Sequence, residues 1–229
     1  MLDFPVGPRL TEQQLLNART LPVKPGPVEL IGRRVRLTPT DPPRDAPPLH
    51  AVSNGSPVTL GSRSIEAYDA ASLVWRYLRY GPFADVAEFE QYLGTMCSPA
   101  DQRSLTLVAR ETEHPVGIIT LMANQPAHLK LEIGNIWVAP VMQGSGIILE
   151  ACSLLIGYCF NLGYRRIEWK CDALNARSRR TALKLGFTFE GIQEYHYIVK
   201  GRNRDTAWFR ILDHEWPSIR ARLAAAVDK

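Results

Sequence analysis

The sequence has few of the residues that build disulfides or metal sites. Its four cysteines show neither CxxC pairing nor zinc-ligand spacing, and its five histidines form no HxxxH pair. These absences argue against a zinc site, a catalytic metal and a disulfide-stapled secreted domain. We therefore expect free thiols, no metal and a cytoplasmic location. Cys152 and Cys159 are seven residues apart, so they share a face of a predicted helix and are expected to fill the core.

Long apolar runs are missing too. No stretch approaches eighteen consecutive apolar residues, so we expect no membrane partner and no membrane span. The first residues lack the basic start and apolar run of a secretory signal, and we expect none. With 45% hydrophobic and 22% charged residues among 229, the chain has enough apolar material for the core of a globular domain.

The net charge is only +4, but positive charge is concentrated in one part of the chain. Residues 165–210 hold 11 lysines and arginines against 5 acidic residues. Such a local excess fits a polyphosphate ligand better than a nucleic-acid surface, so we expect no nucleic-acid partner. A solvated helix face remains an equal alternative for any single one of Arg177, Arg179, Arg180 and Lys184.

Periodicity and turn residues predict a mixed α/β fold with a mostly antiparallel central sheet and flanking helices. Residues 1–28 are proline-rich and predict an extended arm with one short helix at about 11–18. Residues 41–48 are expected to break structure, and 64–78 and 86–96 to be helices, the second capped by Asp85. Further strands are predicted at 29–38, 105–110, 116–122, 130–138, 166–171, 187–199 and 206–212, and further helices at 149–161, 178–185 and 215–227.

The most informative segment is the glycine-rich run at 143–148, QGSGII, between a predicted strand and a predicted helix. Glycines let the backbone approach a ligand closely. The first N–H groups of the following helix have no partner within the helix, and its dipole favours negative charge there. The segment therefore predicts a site for a phosphate-bearing molecule.

Three blocks together resemble the GCN5-related N-acetyltransferases. Gln143 and Gly146 match the family signature Gln/Arg-x-x-Gly-x-Gly/Ala, and Ile148 occupies its last position. Residues 175–187 resemble the Asn-x-x-Ser…Gly-Phe block of the next helix. Residues 200–208 are similar to the last hairpin of the ribosomal-protein N-terminal acetyltransferase-like branch. The resemblance covers about residues 29–216 and implies an acetyltransferase domain at 29–229 behind an arm at 1–28.

This resemblance implies transfer of acetyl from acetyl-CoA to a primary amine of a small molecule or peptide, by direct attack in a ternary complex. The glycine turn would hold the pyrophosphate, and a strand splayed by a β-bulge near Asn135 would take the pantetheine arm. A homodimer is possible. The residues expected to contact acetyl-CoA are Ile136, Trp137, Val138, Gln143, Gly144, Ser145, Gly146, Ile147, Ile148, Asn175 and Arg179.

Catalysis also requires a base and an acid. Alternation puts Glu132 on the opposite face from Leu131 and Ile133, which makes it the candidate base, ahead of Glu168 and Asp172. The alternative is a solvent-facing carboxylate in a salt bridge.

Ser178 occupies the position of the branch's serine and is the candidate acid. The alternative for it is a helix cap. Many family members carry a tyrosine seven residues after the asparagine, where this chain has Ala182.

Two other interpretations of the glycine run are open at this point. A dinucleotide-binding fold would need a small residue where Leu149 stands, and its turn would follow the first strand of a βαβ series. A catalytically inactive acyl-CoA-binding module is favoured by Ile148 and by the missing tyrosine. A P-loop and a nucleophile elbow are excluded, because the sequence shows neither Gly-Lys-Ser/Thr nor GxSxG spacing here.

Overall fold

Two sheets and seven α-helices make up the part of the chain, residues 7–227, that the computed structural model describes. The strands are β1 (Leu30–Ile31), β2 (Val35–Pro39), β3 (Val58–Leu60), β4 (Arg63–Ile65), β5 (Arg103–Ala109), β6 (His114–Gln125), β7 (Lys130–Val138), β8 (Arg166–Asp172), β9 (Thr188–Val199) and β10 (Arg202–Leu212). The helices are α1 (Glu12–Thr20), α2 (Pro42–Ala51), α3 (Ala70–Leu73), α4 (Val86–Cys97), α5 (Ile147–Asn161), α6 (Ala176–Leu185) and α7 (Trp216–Val227).

The main sheet has the order β1-β2-β5-β6-β7-β8-β10-β9 and is antiparallel except for the pair β7 and β8. A small hairpin of β3 and β4 stands apart from it. The predicted mixed α/β fold with a mostly antiparallel central sheet is therefore confirmed. Strand β7, helix α5 and strand β8 form a crossover that makes the parallel pair.

The parallel pair opens halfway along its length. Backbone pairing runs only from Lys130 opposite Arg166 to Glu132 opposite Glu168, whereas β7 continues to Val138. The edge of β7 that faces β8 is therefore unpaired from Ile133 onward, and the two strands splay apart there.

A β-bulge lies in the splayed part of β7. Ile118 pairs with Trp137 and Thr120 with Gly134, so two residues of β7 oppose one residue of β6. Asn135, at the bulge, has a left-handed backbone with φ of 48°. The bulge expected near Asn135 is thus present, and an extra residue of this kind bends the strand and breaks its pairing.

Helix α5 packs against one face of the sheet through an apolar stripe that includes Ala151, Leu155 and Ile156, all fully buried. Cys152 and Cys159 lie on the same stripe and are also fully buried, as expected. Burial raises the pKa of both thiols, so they are inert core residues.

A second, aromatic core forms where α2 and α4 pack together. Trp75 lies at its centre, and its ring contacts those of Phe89 and Tyr92 from α4 and of Trp137 from β7. The prediction of helix α4 with Asp85 as its N-cap is confirmed, since the Asp85 carboxylate accepts from Glu88 N at 2.9 Å. The bulged part of β7 is thereby tied to a rigid cluster.

Two predictions in the first half of the chain were wrong. Residues 41–48 do not break structure, because Asp41 caps α2, Pro42 stands in its first turn, and the buried Asp45 accepts from Thr106 and Arg44. Residues 64–78 do not form one helix. They contain the end of β4, the four-residue helix α3 and turns that bring Trp75 into the aromatic core.

The proline-rich N-terminal segment lies on the domain wherever it is described. Helix α1 begins with a capping box between Thr11 and Gln14, close to the short helix expected there. The carbonyls of Pro22 and Val23 accept from the buried Asn124 side chain at 3.0 and 2.7 Å, and that of Pro25 accepts from Arg103 at 2.9 Å. The first six residues of the expected arm lie outside the described residues.

Candidate active site

A cleft of about 880 Å³ passes through the opening between β7 and β8. One end lies at the glycine turn and α6, and the other at the opposite face of the sheet, beside the β9–β10 hairpin and residues 73–80. The cleft therefore joins an anion-binding geometry at one end to a set of ionisable side chains at the other.

The glycine turn has the backbone conformation that only glycine adopts freely. Gly144 and Gly146 have φ values of 76° and 86°, and Gly146 is the N-cap residue of α5. Among residues 7–227, no side chain makes a cap hydrogen bond at this helix end, and the contact from Ile147 N to Ser145 Oγ is long at 3.4 Å. The first N–H groups of α5 therefore face the cleft with little competition, which suits a phosphate.

The residues of the turn lie in different environments. Gln143 lines the cleft and accepts from Arg177 Nη1 at 3.0 Å. Ile147 is 2% exposed and belongs to the core. Ile148 is half-buried, packs against that core and also contacts the cleft. Ser145 lines a separate depression beside Arg34, so it lies outside the cleft lining.

Helix α6 supplies positive charge to the same end. Asn175 caps it by accepting from Ser178 N at 3.0 Å, and Gly186 ends it with φ of 94°. Its face toward the cleft, at the spacing i, i+3, i+4, i+7, carries Arg177, Arg180, Thr181 and Lys184.

Arg179, which the sequence offered as a cofactor residue, points elsewhere: it donates to the Ala173 carbonyl at 3.2 Å and its guanidinium lies over the Phe189 ring. The sequence analysis therefore chose a neighbour of the basic residues that line the cleft. The helical spacing i, i+3, i+7 of Arg177, Arg180 and Lys184 was the signal that distinguishes these residues from Arg179.

Ser178 lies in the cleft wall and has a defined orientation. Its Oγ accepts from Trp169 Nε1 at 3.0 Å, so the indole takes one lone pair and leaves the hydroxyl hydrogen for another acceptor. Burial raises the pKa of the nearby Cys171 thiol, and Ser178 offsets only part of that rise.

Glu132 is buried in the cleft, 6% exposed, and its Oε2 lies 2.7 Å from Lys170 Nζ. Burial raises the pKa of this carboxyl, and Lys170 offsets the rise only in part. Glu132 therefore forms the salt bridge of the alternative interpretation, but it faces the cleft, as a base would, rather than bulk solvent.

The two weaker carboxylate candidates differ from Glu132. Glu168 does not line the cleft and accepts from Arg166 Nε at 2.8 Å, with Lys130 at 3.4 Å. Burial raises its pKa, but these cations outweigh burial and lower it overall. Asp172 lines the cleft and accepts from the backbone N–H of Leu174.

Residues Ile136, Trp137 and Val138 of the splayed strand line the cleft, and Trp137 is also part of the aromatic core. Tyr77 and Tyr80 line it as well. Phe83 lies outside the lining and packs edge-on against Trp75.

The end of the cleft beside the β9–β10 hairpin and residues 73–80 is called the acceptor end below. Five residues that line it were missed by the sequence analysis, namely Arg79, Lys170, Tyr197, Arg204 and Thr206. For Lys170 there was a signal. Glu168 pairs with Glu132 across the two strands, and alternation along β8 puts Lys170 on the same face as Glu168.

Within residues 7–227, no group of three or more His, Cys, Asp or Glu side chains is arranged to hold a metal ion. The helices of this same part of the chain include none with both the length and the apolarity needed to cross a membrane.

A splayed mixed sheet with a glycine turn at the following helix defines the acetyltransferase class of fold, and the comparisons with known proteins agree. The family model described as the acetyltransferase (GNAT) domain matches residues 34–188. A crystal structure of a GCN5-related N-acetyltransferase from Brucella melitensis superposes with a TM-score of 0.78 and 36% identity, covering 88% of this chain and 86% of that one. This chain belongs to the GNAT acetyltransferase family.

Some curated relatives carry names of the expected ribosomal-type branch, and others are named for spermidine. The ribosomal-protein-serine acetyltransferase of Escherichia coli (strain K12) is 30% identical over 102 residues, 44% of this chain and 56% of that protein. Spermidine N(1)-acetyltransferase of the same strain is 23% identical over 155 residues, 67% of this chain and 82% of that protein. The chain spans just over half the length of the ribosomal-type relatives that it matches.

Proposed function

We propose that this protein transfers an acetyl group from acetyl-CoA to a primary amine by direct attack in a ternary complex. The observation that carries the proposal is the single cleft that joins the uncapped N-terminus of α5 to the buried Glu132 through the opening between β7 and β8. Donor and acceptor entering from opposite faces of the sheet would meet in that opening, so no covalent enzyme intermediate is needed.

The donor end fits the anionic part of acetyl-CoA, which supplies the activated acetyl thioester when bound. Backbone N–H groups of Gly144 to Ile148 would donate to the pyrophosphate oxygens, and Arg180 and Lys184 on the cleft face of α6 would add positive charge. The unpaired edge of β7 at Ile136 to Val138 would pair with the amides of the pantetheine arm as a strand pairs with its neighbour.

Glu132 would remove a proton from the entering ammonium group, directly or through one water molecule. Burial makes this carboxylate more basic than an exposed glutamate, which brings it closer to the range in which a general base works at neutral pH. Lys170, whose Nζ lies 2.7 Å from Glu132 Oε2, favours the ionised form of this carboxylate. The base therefore depends on a balance between burial and one ion pair.

Ser178 would donate to the leaving thiolate. Trp169 Nε1 donates to one lone pair of its oxygen and holds the oxygen in place, while the hydroxyl hydrogen takes no part in this bond and can turn toward the leaving sulfur. Asn175 supports this position by fixing the first turn of α6.

Two relatives are named for transfer to nitrogen, one as a putative ribosomal N-acetyltransferase and one as a spermidine N(1)-acetyltransferase. We extend to this chain only the common element, a primary amine of a small molecule or peptide. The unit responsible would be residues 29–229, with 1–28 as an accessory segment.

The test is acetyl-CoA binding by calorimetry together with thiol release over a panel of amines. Gly146→Asp is expected to abolish binding, because it adds bulk and negative charge at the phosphate site. Gly26→Asp is the matched control, since a Cβ at Gly26 meets nothing within 4 Å, and it should bind as the wild type does. Retained affinity in Gly146→Asp would remove the pyrophosphate from this turn, and binding without any thiol release would favour the inactive module.

A further inference from the structure

The acceptor end of the cleft carries more positive than negative charge. Arg79, Lys170 and Arg204 line it, and Glu132 and Asp172 oppose them. Lys170 is satisfied, since its Nζ lies 2.7 Å from Glu132 and 4.3 Å from the centre of the Trp208 ring. Arg79 and Arg204 are different, because neither forms an ion pair with a carboxylate of the described residues.

The two arginines share one aromatic ring. The Arg79 guanidinium lies 4.2 Å and that of Arg204 5.6 Å from the centre of the Tyr197 ring, so two like charges converge on one side chain. Burial and the charge of Arg79 lower the pKa of Arg204, which shows that its positive charge is poorly compensated. Two cations that repel each other and line one cleft favour an anion that can contact both.

Three alternate residues of β10 carry buried polar atoms without a hydrogen-bond partner among residues 7–227. Thr206 is fully buried and lines the cleft, yet among residues 7–227 its Oγ1 has no hydrogen-bond partner. Within the same residues, Arg204 Nε and Trp208 Nε1 are also buried without a partner. Buried polar groups are nearly always satisfied, and each of these can donate a hydrogen bond.

The candidate base belongs to the same part of the cleft. Lys170, the ion-pair partner of Glu132, lies 4.3 Å from the centre of the Trp208 ring, which is on the same strand as Arg204 and Thr206. An amine at Glu132 therefore leaves the remainder of a small acceptor near Arg204. A polycation would meet like charges there, whereas a carboxylate would meet two guanidinium groups and the Thr206 hydroxyl.

Resting on the proposed function, we infer that the acceptor is a primary amine that also carries a carboxylate. Arg204, Arg79 and Thr206 would bind that carboxylate while Glu132 receives the amine. The enzyme would then prefer acceptors that carry a carboxylate and discriminate against polyamines.

The experiment compares acceptors in which one carboxylate is replaced by a carboxamide. One pair is a free amino acid and its amide, and the other is a peptide whose second residue is Asp or Asn. The acids are expected to have the higher kcat/KM, and the two pairs distinguish a free amino acid from an acidic peptide. Equal or better transfer to the amides would overturn the inference and leave the proposed function standing.

Variants locate the effect. Arg204→Met and Thr206→Val should each raise KM for the acid, Arg204→Met by about 10- to 100-fold because a charged hydrogen bond is lost, and leave the amide unchanged. Arg204→Lys should restore part of the preference. Arg202→Met, an exposed site on the same hairpin and outside the cleft, is the matched control and should behave as the wild type. Equal effects on acid and amide would also overturn the inference.

Binding measured without turnover separates the two proposals. Calorimetric titration with the acid and the amide should show tighter binding of the acid, and Arg204→Met should abolish the difference. If no amine is acetylated, the proposed function fails, and this titration still decides whether the cleft selects a carboxylate. No difference between the two compounds would overturn the inference.

Discussion

Two buried carboxylates on neighbouring strands differ in pKa because their partners differ. Glu132 and Glu168 face each other in register on β7 and β8, and both are almost fully buried. Among the described residues, Glu168 forms ion pairs with Arg166 and Lys130, and its pKa is lowered. In the same part of the chain, Glu132 forms one ion pair, with Lys170, and its pKa is raised. The residue that lines the cleft is thus the one whose proton affinity suits a base.

Glu132→Gln tests that difference directly. We expect kcat to fall by about 10²- to 10⁴-fold, the usual contribution of a general base, with acetyl-CoA affinity nearly unchanged. Thiol release and calorimetry measure the two quantities. The matched variant Glu168→Gln should lower stability but keep turnover, since Glu168 lies outside the cleft. Comparable losses of turnover in both variants would remove Glu132 from its role.

Lys170→Met should move the pH dependence. A base acts when deprotonated, so activity is lost as pH falls through its pKa. Lys170 lowers the pKa of Glu132 against the effect of burial, and its removal raises that pKa further. The acidic limb of kcat/KM is therefore expected at higher pH than in the wild type. Lys130→Met, which removes a partner of Glu168 instead, should leave the limb in place. An unshifted limb in Lys170→Met would contradict the ion-pair balance.

At the scale of elements, the splay of β7 depends on its other neighbour, β6. Gly117 of β6 lies against the bulged part of β7, and a Cβ added there would stand 2.3 Å from the Trp137 carbonyl oxygen. That carbonyl cannot move freely, because Trp137 is anchored in the aromatic core. The close approach of the two backbones thus fixes where the cleft edge lies.

Gly117→Ala is expected to destabilise the fold by about 1–3 kcal/mol through overpacking and to weaken acetyl-CoA binding, since it displaces the strand edge that lines the cleft. Chemical denaturation and calorimetry provide the two readings. Gly94→Ala is the control, because Gly94 lies in helix α4 and a Cβ added there meets nothing within 4 Å. A stability loss with unchanged binding would show that the edge tolerates the shift.

The N-terminal segment packs against the rest of the domain and forms hydrogen bonds with a buried side chain there. The Asn124 side chain is 5% exposed, donates to the Pro22 and Val23 carbonyls, and accepts from Tyr164 Oη at 2.8 Å. Leu21 packs against the main core. The segment thereby satisfies a buried polar group that the rest of the domain would leave with one partner.

Deletion of residues 1–24 is expected to lower the free energy of unfolding by roughly 1–3 kcal/mol, because Asn124 loses two hydrogen-bond acceptors. In an Asn124→Ala background the same deletion should have a smaller effect, and the double-mutant cycle measures the difference. Additive effects would show that the segment acts through other contacts. Urea denaturation followed by circular dichroism measures all four proteins.

The second half of the fold was predictable because its signals are local. The glycine turn, the Asn175 cap and the Gly186 C-cap each specify backbone geometry within a few residues, and the alternation in β7 and β8 is regular. The first half was not, because α2 is stabilised by the contact of Asp45 with Thr106, far along the chain. The acceptor end combines residues from α3 onward to β10, and no local pattern brings Arg79 to Arg204.

The short ladder between β7 and β8 has a consequence for the lifetime of the protein in a cell. Three paired positions join the two halves of the sheet there, and the proposed acetyl-CoA site lies where their pairing ends. A ligand at one hundred times its dissociation constant would stabilise the native state by about 2.7 kcal/mol. Starved of acetyl-CoA, the chain would open more often and be degraded sooner, so its abundance would follow the supply of the metabolite it uses.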